Sequence, residues 1–208
     1  MPVLTVIGGP NGAGKSTHSK ELLEDYGIEA FDFDKSFYSI WSQFSFDPAV
    51  EQAAFDSALD LYLNQRTSAL SKNQNFAFET NYHTKDILPV VNLFKSNGYT
   101  VELIFIFLES TSIAMERVKD RVAKGGHPVD EETIIQRFNN GLTLINESFQ
   151  VFDSVSLYLS EQNTVNAIVI LEPGKSNAIT FAPIPSSLVS YLPEVINFIS
   201  DYGREENF

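Results

Sequence analysis

Apolar residues run along this chain in two rhythms, short unbroken blocks and stretches in which they recur every three or four positions. The first block, "VLTVI" (Val3 to Ile7), predicts a buried strand, and the glycine-rich turn after it leads into a helix from about Lys15 to Asp25. "IEAFDFD" alternates, so an extended chain there puts Asp32 and Asp34 on one face and Phe31 and Phe33 on the other. Asp47 and Pro48 predict the start of a helix with Val50, Ala54 and Leu61 on its inner stripe, ending near Ser71, and "NFAFET" predicts the next strand. Thr84 can cap a helix that Gly98 closes. "TVELIFIFL" (Thr100 to Leu108) is the most apolar run and predicts a central parallel strand. Helices are expected over Ser112 to Ala123 and Asp130 to about Glu147, separated by the breaker "KGGHPV". Strands follow near Val155 to Leu159 and Val165 to Leu171, then "NAITFAP" and a helix from Ser186 to Ser200. Strand and helix alternate throughout, which predicts an α/β fold with a mainly parallel sheet between helical layers.

Composition narrows the picture. The 208 residues, 43% apolar, support one core, so a single domain over 1–208 is expected. With 14 basic and 27 acidic side chains the net charge is −13, which repels nucleic acid unless the few cations are gathered in one place. Cysteine is absent, so chemistry must rest on oxygen and nitrogen. The opening "MPVLTVIGGP" lacks a basic leader and no apolar run nears the ~20 residues that span a bilayer, so a soluble, cytoplasmic protein without a membrane partner is expected.

The glycine turn carries the strongest chemical signal. Gly9, four residues, then Gly14, Lys15 and Ser16 match G-x-x-x-x-G-K-[ST], and the match lies between a strand and a helix, where a phosphate loop must lie. Glycines at 9, 12 and 14 permit positive φ, so the turn from Gly9 through Pro10, Asn11, Gly12 and Ala13 to Thr17 can line a nest for a nucleoside triphosphate with its N–H groups, Pro10 shaping the turn without donating. Lys15 would reach the β and γ phosphates, Ser16 would offer its hydroxyl to Mg²⁺, and Thr17 could touch the α-phosphate. ATP is the expected donor, with GTP left open. No N-K-x-D or T-K-x-D reads guanine, and Glu109 after the central strand reads as structural rather than as the acid of a mechanical ATPase.

Two further groups bear on an acceptor. Asp34 with Asp32 would sit at the carboxyl edge of a parallel sheet, where ligands bind, and a carboxylate there could take the proton of an acceptor hydroxyl. The same spacing serves two solvated carboxylates equally well. Glu79 ends another strand, with Thr80, Asn81 and His83 beyond it as a substrate shelf; His83 has no second histidine with which to hold a metal. Arg117, Lys119, Arg121 and Lys124 fall within eight residues, and Arg137 returns on the next helix. Arg117 and Arg121 share a helical face, and Gly125 and Gly126 supply a hinge, so residues 117–137 are expected to form a small lid that brings guanidinium groups to the transferring phosphoryl. A salt-bridged helix among Glu116, Asp120, Glu131 and Glu132 is the plainer alternative.

Together "GGPNGAGKST", "FDFD", "FAFETN" and "RVAKGGHPVDEETIIQRF" resemble the zeta-toxin-like P-loop kinases, in particular the short stand-alone branch, over roughly Val3 to Phe149. The resemblance implies a nucleoside-kinase-like three-layer sandwich and phosphorylation of a hydroxyl on a UDP-activated amino sugar. Carried over by motif, Lys15 and Ser16 take the phosphate and Mg²⁺ roles, Asp34 the base, Glu79 with Thr80 the acceptor, and Arg121 and Arg137 the phosphates. Asp32, His83 and Arg117 complete the expected substrate side. Where relatives show "ETT", this chain has "ETNYHT", and residues 150–208 match no motif. Two other functions stay open from sequence: a regulatory half of a toxin and antitoxin pair, docking an antitoxin protein without acceptor chemistry, and a small ATPase.

Overall fold

A computed structural model describes residues 1–162 and 164–205. The strands are β1 (Val3–Gly8), β2 (Phe76–Thr80), β3 (Thr100–Phe107), β4 (Ser154–Glu161), β5 (Thr164–Glu172), β6 (Asn177–Thr180) and β7 (Gly203–Glu205). The α-helices are α1 (Lys15–Leu22), α2 (Phe33–Ser42), α3 (Glu51–Lys72), α4 (Ile87–Ser96), α5 (Thr111–Ala123), α6 (Glu131–Ser148), α7 (Ser186–Val189) and α8 (Pro193–Tyr202). One sheet runs β2-β1-β3-β4-β5-β6-β7. β2, β1, β3 and β4 are parallel, β5 is antiparallel to both neighbours, and β6 pairs parallel with β7. The fold is the α/β, mostly parallel arrangement that the alternation predicts.

The centre is the most apolar. Every residue of β3 from Leu103 to Phe107 is buried, as is β1 from Leu4 to Gly8, so both faces of these strands are covered. Burying side chains such as Phe105 and Phe107 contributes roughly 1.5–3 kcal/mol each. Register then aligns the strand ends: Gly8 lies opposite Thr80 on one side and Phe105 on the other. Loops leaving these three ends are therefore neighbours, which is what positions the site. No helix among the described residues is long and apolar enough to cross a membrane.

Local chemistry explains where the elements begin. Asp32, Ser110 and Asp130 each accept a backbone N–H at the head of α2, α5 and α6, from Lys35, Ile113 and Thr133. Asp47 caps a 3₁₀ turn, Pro48–Val50, that runs into α3. Two expectations are corrected. The strand expected around Asp32 and Asp34 shrinks to one bridge, Phe31 against Phe78, because the Asp32 cap starts α2 and Phe33, Phe37 and Trp41 recur at helical spacing. The helix expected from Ser186 to Ser200 is two, because Pro193 cannot donate and instead begins α8.

Candidate active site

The turn between β1 and α1 forms a nest at the sheet's carboxyl edge. Gly9, Gly12 and Gly14 have φ of 146°, 81° and 87°. A Cβ at Gly9 would lie 2.5 Å from the Ile106 carbonyl oxygen, and one at Gly12 would lie 3.2 Å from the Arg117 Cβ. Glycine is therefore required at 9 by β3 and favoured at 12 by α5. Asn11 and Ala13 are buried in the turn wall. Gly14 occupies the N-cap position of α1 with no side-chain cap, so no capping side chain stands where an anion would meet the start of the helix.

Lys15 folds back over this turn. Its ammonium donates to Gly9 O at 2.8 Å, Pro10 O at 3.2 Å and Asn81 Oδ1 at 3.1 Å. Burial lowers its pKa from the ordinary 10.5 to about 8, against the charges of Glu79, Asp34 and Asp32, which raise it. Ser16 Oγ lies 2.7 Å from Asp32 Oδ2 and 2.6 Å from Glu79 Oε2. A hydroxyl has one proton to give, so one of the two carboxylates faces it acceptor to acceptor unless a proton or cation intervenes. Burial raises the Glu79 pKa, the Ser16 hydrogen bond opposes that, and the Asp32 charge adds to it. Three hard oxygen donors converging this way fit the ligand preference of Mg²⁺.

The remaining expected residues line the same cleft, of about 1740 Å³, against the ~300–1,000 Å³ that a single small ligand fills. Asp34, in the first turn of α2, is exposed to it, and its charge acts on Lys15, Tyr38 and His127. Arg121 donates to His127 O at 2.8 Å, and Arg137 donates to Asn11 Oδ1 at 3.2 Å. His83 faces the cleft half-buried; burial first, then Arg137, lowers its pKa. Thr80 Oγ1 accepts from the Tyr82 amide at 3.0 Å, which helps hold Tyr82 at φ 51° and so aims Asn81 at Lys15.

Some placements differ from the substrate-side expectation. Asp32 and Glu79 both meet the Ser16 hydroxyl. Arg117 is committed to protein: it donates to Gly12 O at 3.3 Å, Ser160 Oγ at 2.6 Å and Ser160 O at 3.3 Å, tying the phosphate turn to β4. Residues 117–137, where a lid is expected, comprise the end of α5, the loop 124–130 and the start of α6. Sequence reasoning missed Asn81 as the lysine's partner, Ser160 with Glu161 and Gln162 on the cleft wall, and the stacking of Tyr38 on His127. Only the His127 of "GGHPV" carried a signal, since a histidine between a glycine pair and a proline in a polar loop has no local reason to be there.

Comparisons with known proteins bear on the family and the fold. The family model described as zeta toxin matches residues 50–170, more than half of the chain. No curated protein sequence matches. A structure from the PezAT chromosomal toxin-antitoxin system of Streptococcus pneumoniae superposes with a TM-score of 0.62 at 16% identity, covering 93% of this chain and 78% of that one. A protein of Chloroflexus aurantiacus named as a candidate kinase gives 0.54 at 20% identity over 66% of this chain and 76% of its own. The AvrRxo1-ORF1:-ORF2 structure with ATP gives 0.58 at 13% identity over 92% of this chain but 63% of the other. At such identities the superpositions show the fold, a P-loop kinase-like one. Through its own sequence match, the chain belongs to the zeta toxin family.

Proposed function

We propose that this protein is an ATP-dependent phosphotransferase that moves the γ-phosphoryl group to a hydroxyl of a small acceptor. The observation that carries the reading is the convergence of Lys15, Ser16, Asp34, Arg121 and Arg137 on one cleft, from four separate stretches of chain. The nest amides between Gly9 and Thr17 bind the triphosphate. Lys15 exchanges its carbonyl partners for phosphate oxygens, which restores the charge that burial weakens. Mg²⁺, held by Ser16 with Asp32 and Glu79 oriented toward it, would neutralise charge between the β and γ phosphates. Asp34 takes the proton from the acceptor hydroxyl as that oxygen bonds to phosphorus and the bond to the β-phosphate oxygen breaks. Arg121 and Arg137 stabilise the charge that spreads over the equatorial oxygens. Arg117 braces the nest through Gly12 rather than meeting substrate.

A UDP-activated amino sugar, the acceptor that the family resemblance implies, is the first to test, and GTP is to be tried beside ATP. Asp34→Asn should keep nucleotide affinity within about twofold while transfer falls by at least about a hundredfold, as expected when a base acts only in the transition state. Radiolabelled ATP with a panel of UDP-sugars and nucleosides reads the result; full activity of the variant would remove Asp34 from the mechanism. A second reading has its own support: PezAT is a toxin-antitoxin system by its printed description, and AvrRxo1-ORF1 was solved with a second chain. An antitoxin protein that covers the cleft would be the regulator of this activity in the cytoplasm.

A further inference from the structure

α2 carries Asp34 in its first turn and Tyr38 four residues on, so both side chains leave one face of the helix. The Tyr38 ring stacks on the His127 imidazole, centroids 3.8 Å apart and planes 25° apart. His127 belongs to the loop between α5 and α6, and its carbonyl accepts the hydrogen bond from Arg121. That loop is folded tightly. Gly125 has φ 87°, the Gly126 amide donates to Arg121 O at 2.8 Å, and a Cβ at 126 would meet Arg121 Cγ at 2.5 Å. Arg121, the glycine pair and His127 thus form one folded unit, and its aromatic contact is with the helix that bears Asp34. Burial and the nearby Arg121 hold the His127 pKa below its ordinary value, against Asp34 and Glu51.

We propose that Tyr38 and His127 are positioning residues whose stack docks the arm onto α2 and thereby sets Arg121 at the mouth of the cleft, across from Lys15. The inference rests on the phosphotransferase reading above. Its physical appeal is that closure is read on the acceptor side: a displaced α2 would move Asp34 and release Arg121 together. A single ring stack biases an open–closed equilibrium by about tenfold at most, so the arm closes without being locked.

Trp41, the single tryptophan of the chain, reports on this contact, with its ring 6.4 Å from Tyr38 and stacked on Phe37 at 5.5 Å. The test compares the full chain with His127→Ala and His127→Phe by acrylamide quenching of Trp41 in the presence of Mg²⁺ and the non-hydrolysable analogue AMPPNP, and by ATP turnover. His127→Ala should raise the quenching constant about twofold and lower kcat about tenfold while KM for ATP stays within about twofold; His127→Phe, which keeps a stacking ring, should restore both. Unchanged quenching in His127→Ala, or equal impairment of His127→Phe, overturns the inference. If the unaltered chain turns over no ATP with any acceptor, the phosphotransferase reading fails, and the quenching comparison alone then decides whether the arm docks through this stack.

Discussion

Lys15 shows how a single site residue reflects its surroundings. Its pKa is lowered to about 8, because the cost of burial exceeds the attraction of Glu79, Asp34 and Asp32. A triphosphate stabilises the charged ammonium and raises that value, so binding takes up a proton near and above pH 8. The sign follows: affinity is flat below pH 8 and falls by about tenfold per unit as pH rises well beyond it, until the pKa of the bound state is reached. Calorimetry of AMPPNP binding in two buffers of different ionisation enthalpy should give proton uptake approaching one per site at pH 9 and little at pH 6.5. Absence of uptake would mean that the ammonium is already fully charged in the free protein. The lysine's identity was legible from motif spacing. Its partner Asn81 was not, because residues 66 apart in sequence meet only where β1 and β2 pair in register.

At the scale of elements, the sequence was read best where one signal acted alone. α5 and α6 begin at capping residues and follow an apolar stripe, and α3 too lies within a few residues of expectation, although it buries Ala54, Ala58 and Ala69 and leaves Leu61, expected on its inner stripe, exposed. α2 was missed because two patterns overlap in "FDFDKSFYSIW": alternation favours a strand, while Asp32 as a cap and the Phe33, Phe37, Trp41 spacing favour a helix. The helix prevails because its capping bond and the packing of Phe37 against Ala54 and Ala58 of α3 act together. The consequence for function is direct, since Asp34 enters the cleft from a helical first turn and not from a strand end. Caps also give a clean test of the arm. Asp130 accepts from the Thr133 amide at 2.8 Å and its hydroxyl at 2.7 Å at the start of α6. Asp130→Ala should lower the urea midpoint of unfolding with an unchanged m-value, measured by circular dichroism. An unchanged midpoint would show that α6 is held by its buried face alone.

The whole molecule joins these parts through contacts of long sequence separation. Arg117 reaches from α5 to Gly12 and to Ser160 on β4, so the phosphate turn is braced from two directions before any ligand arrives. A preformed nest of this kind should bind Mg-ATP as a unit with the folded state and not the unfolded chain. At a ligand concentration about 100 times Kd, mass action contributes about 2.7 kcal/mol, which raises Tm by about 5–10 °C for a chain of this length. Differential scanning fluorimetry should show that rise for the unaltered protein and almost none for Lys15→Ala. A rise of equal size in the variant would place nucleotide binding elsewhere.

The sequence by itself determined the alternating elements, the parallel centre around Thr100–Phe107, and the phosphate turn with its lysine and serine. Each of these is written in a local period or a fixed spacing that backbone geometry enforces within one turn or one strand. Tertiary structure decided which carboxylates share the Ser16 hydroxyl, that Arg117 holds the nest while Arg121 and Arg137 remain in the cleft, and that His127 meets Tyr38. Those outcomes depend on strand register and helix packing between residues dozens of positions apart, where spacing along the chain no longer constrains distance in space.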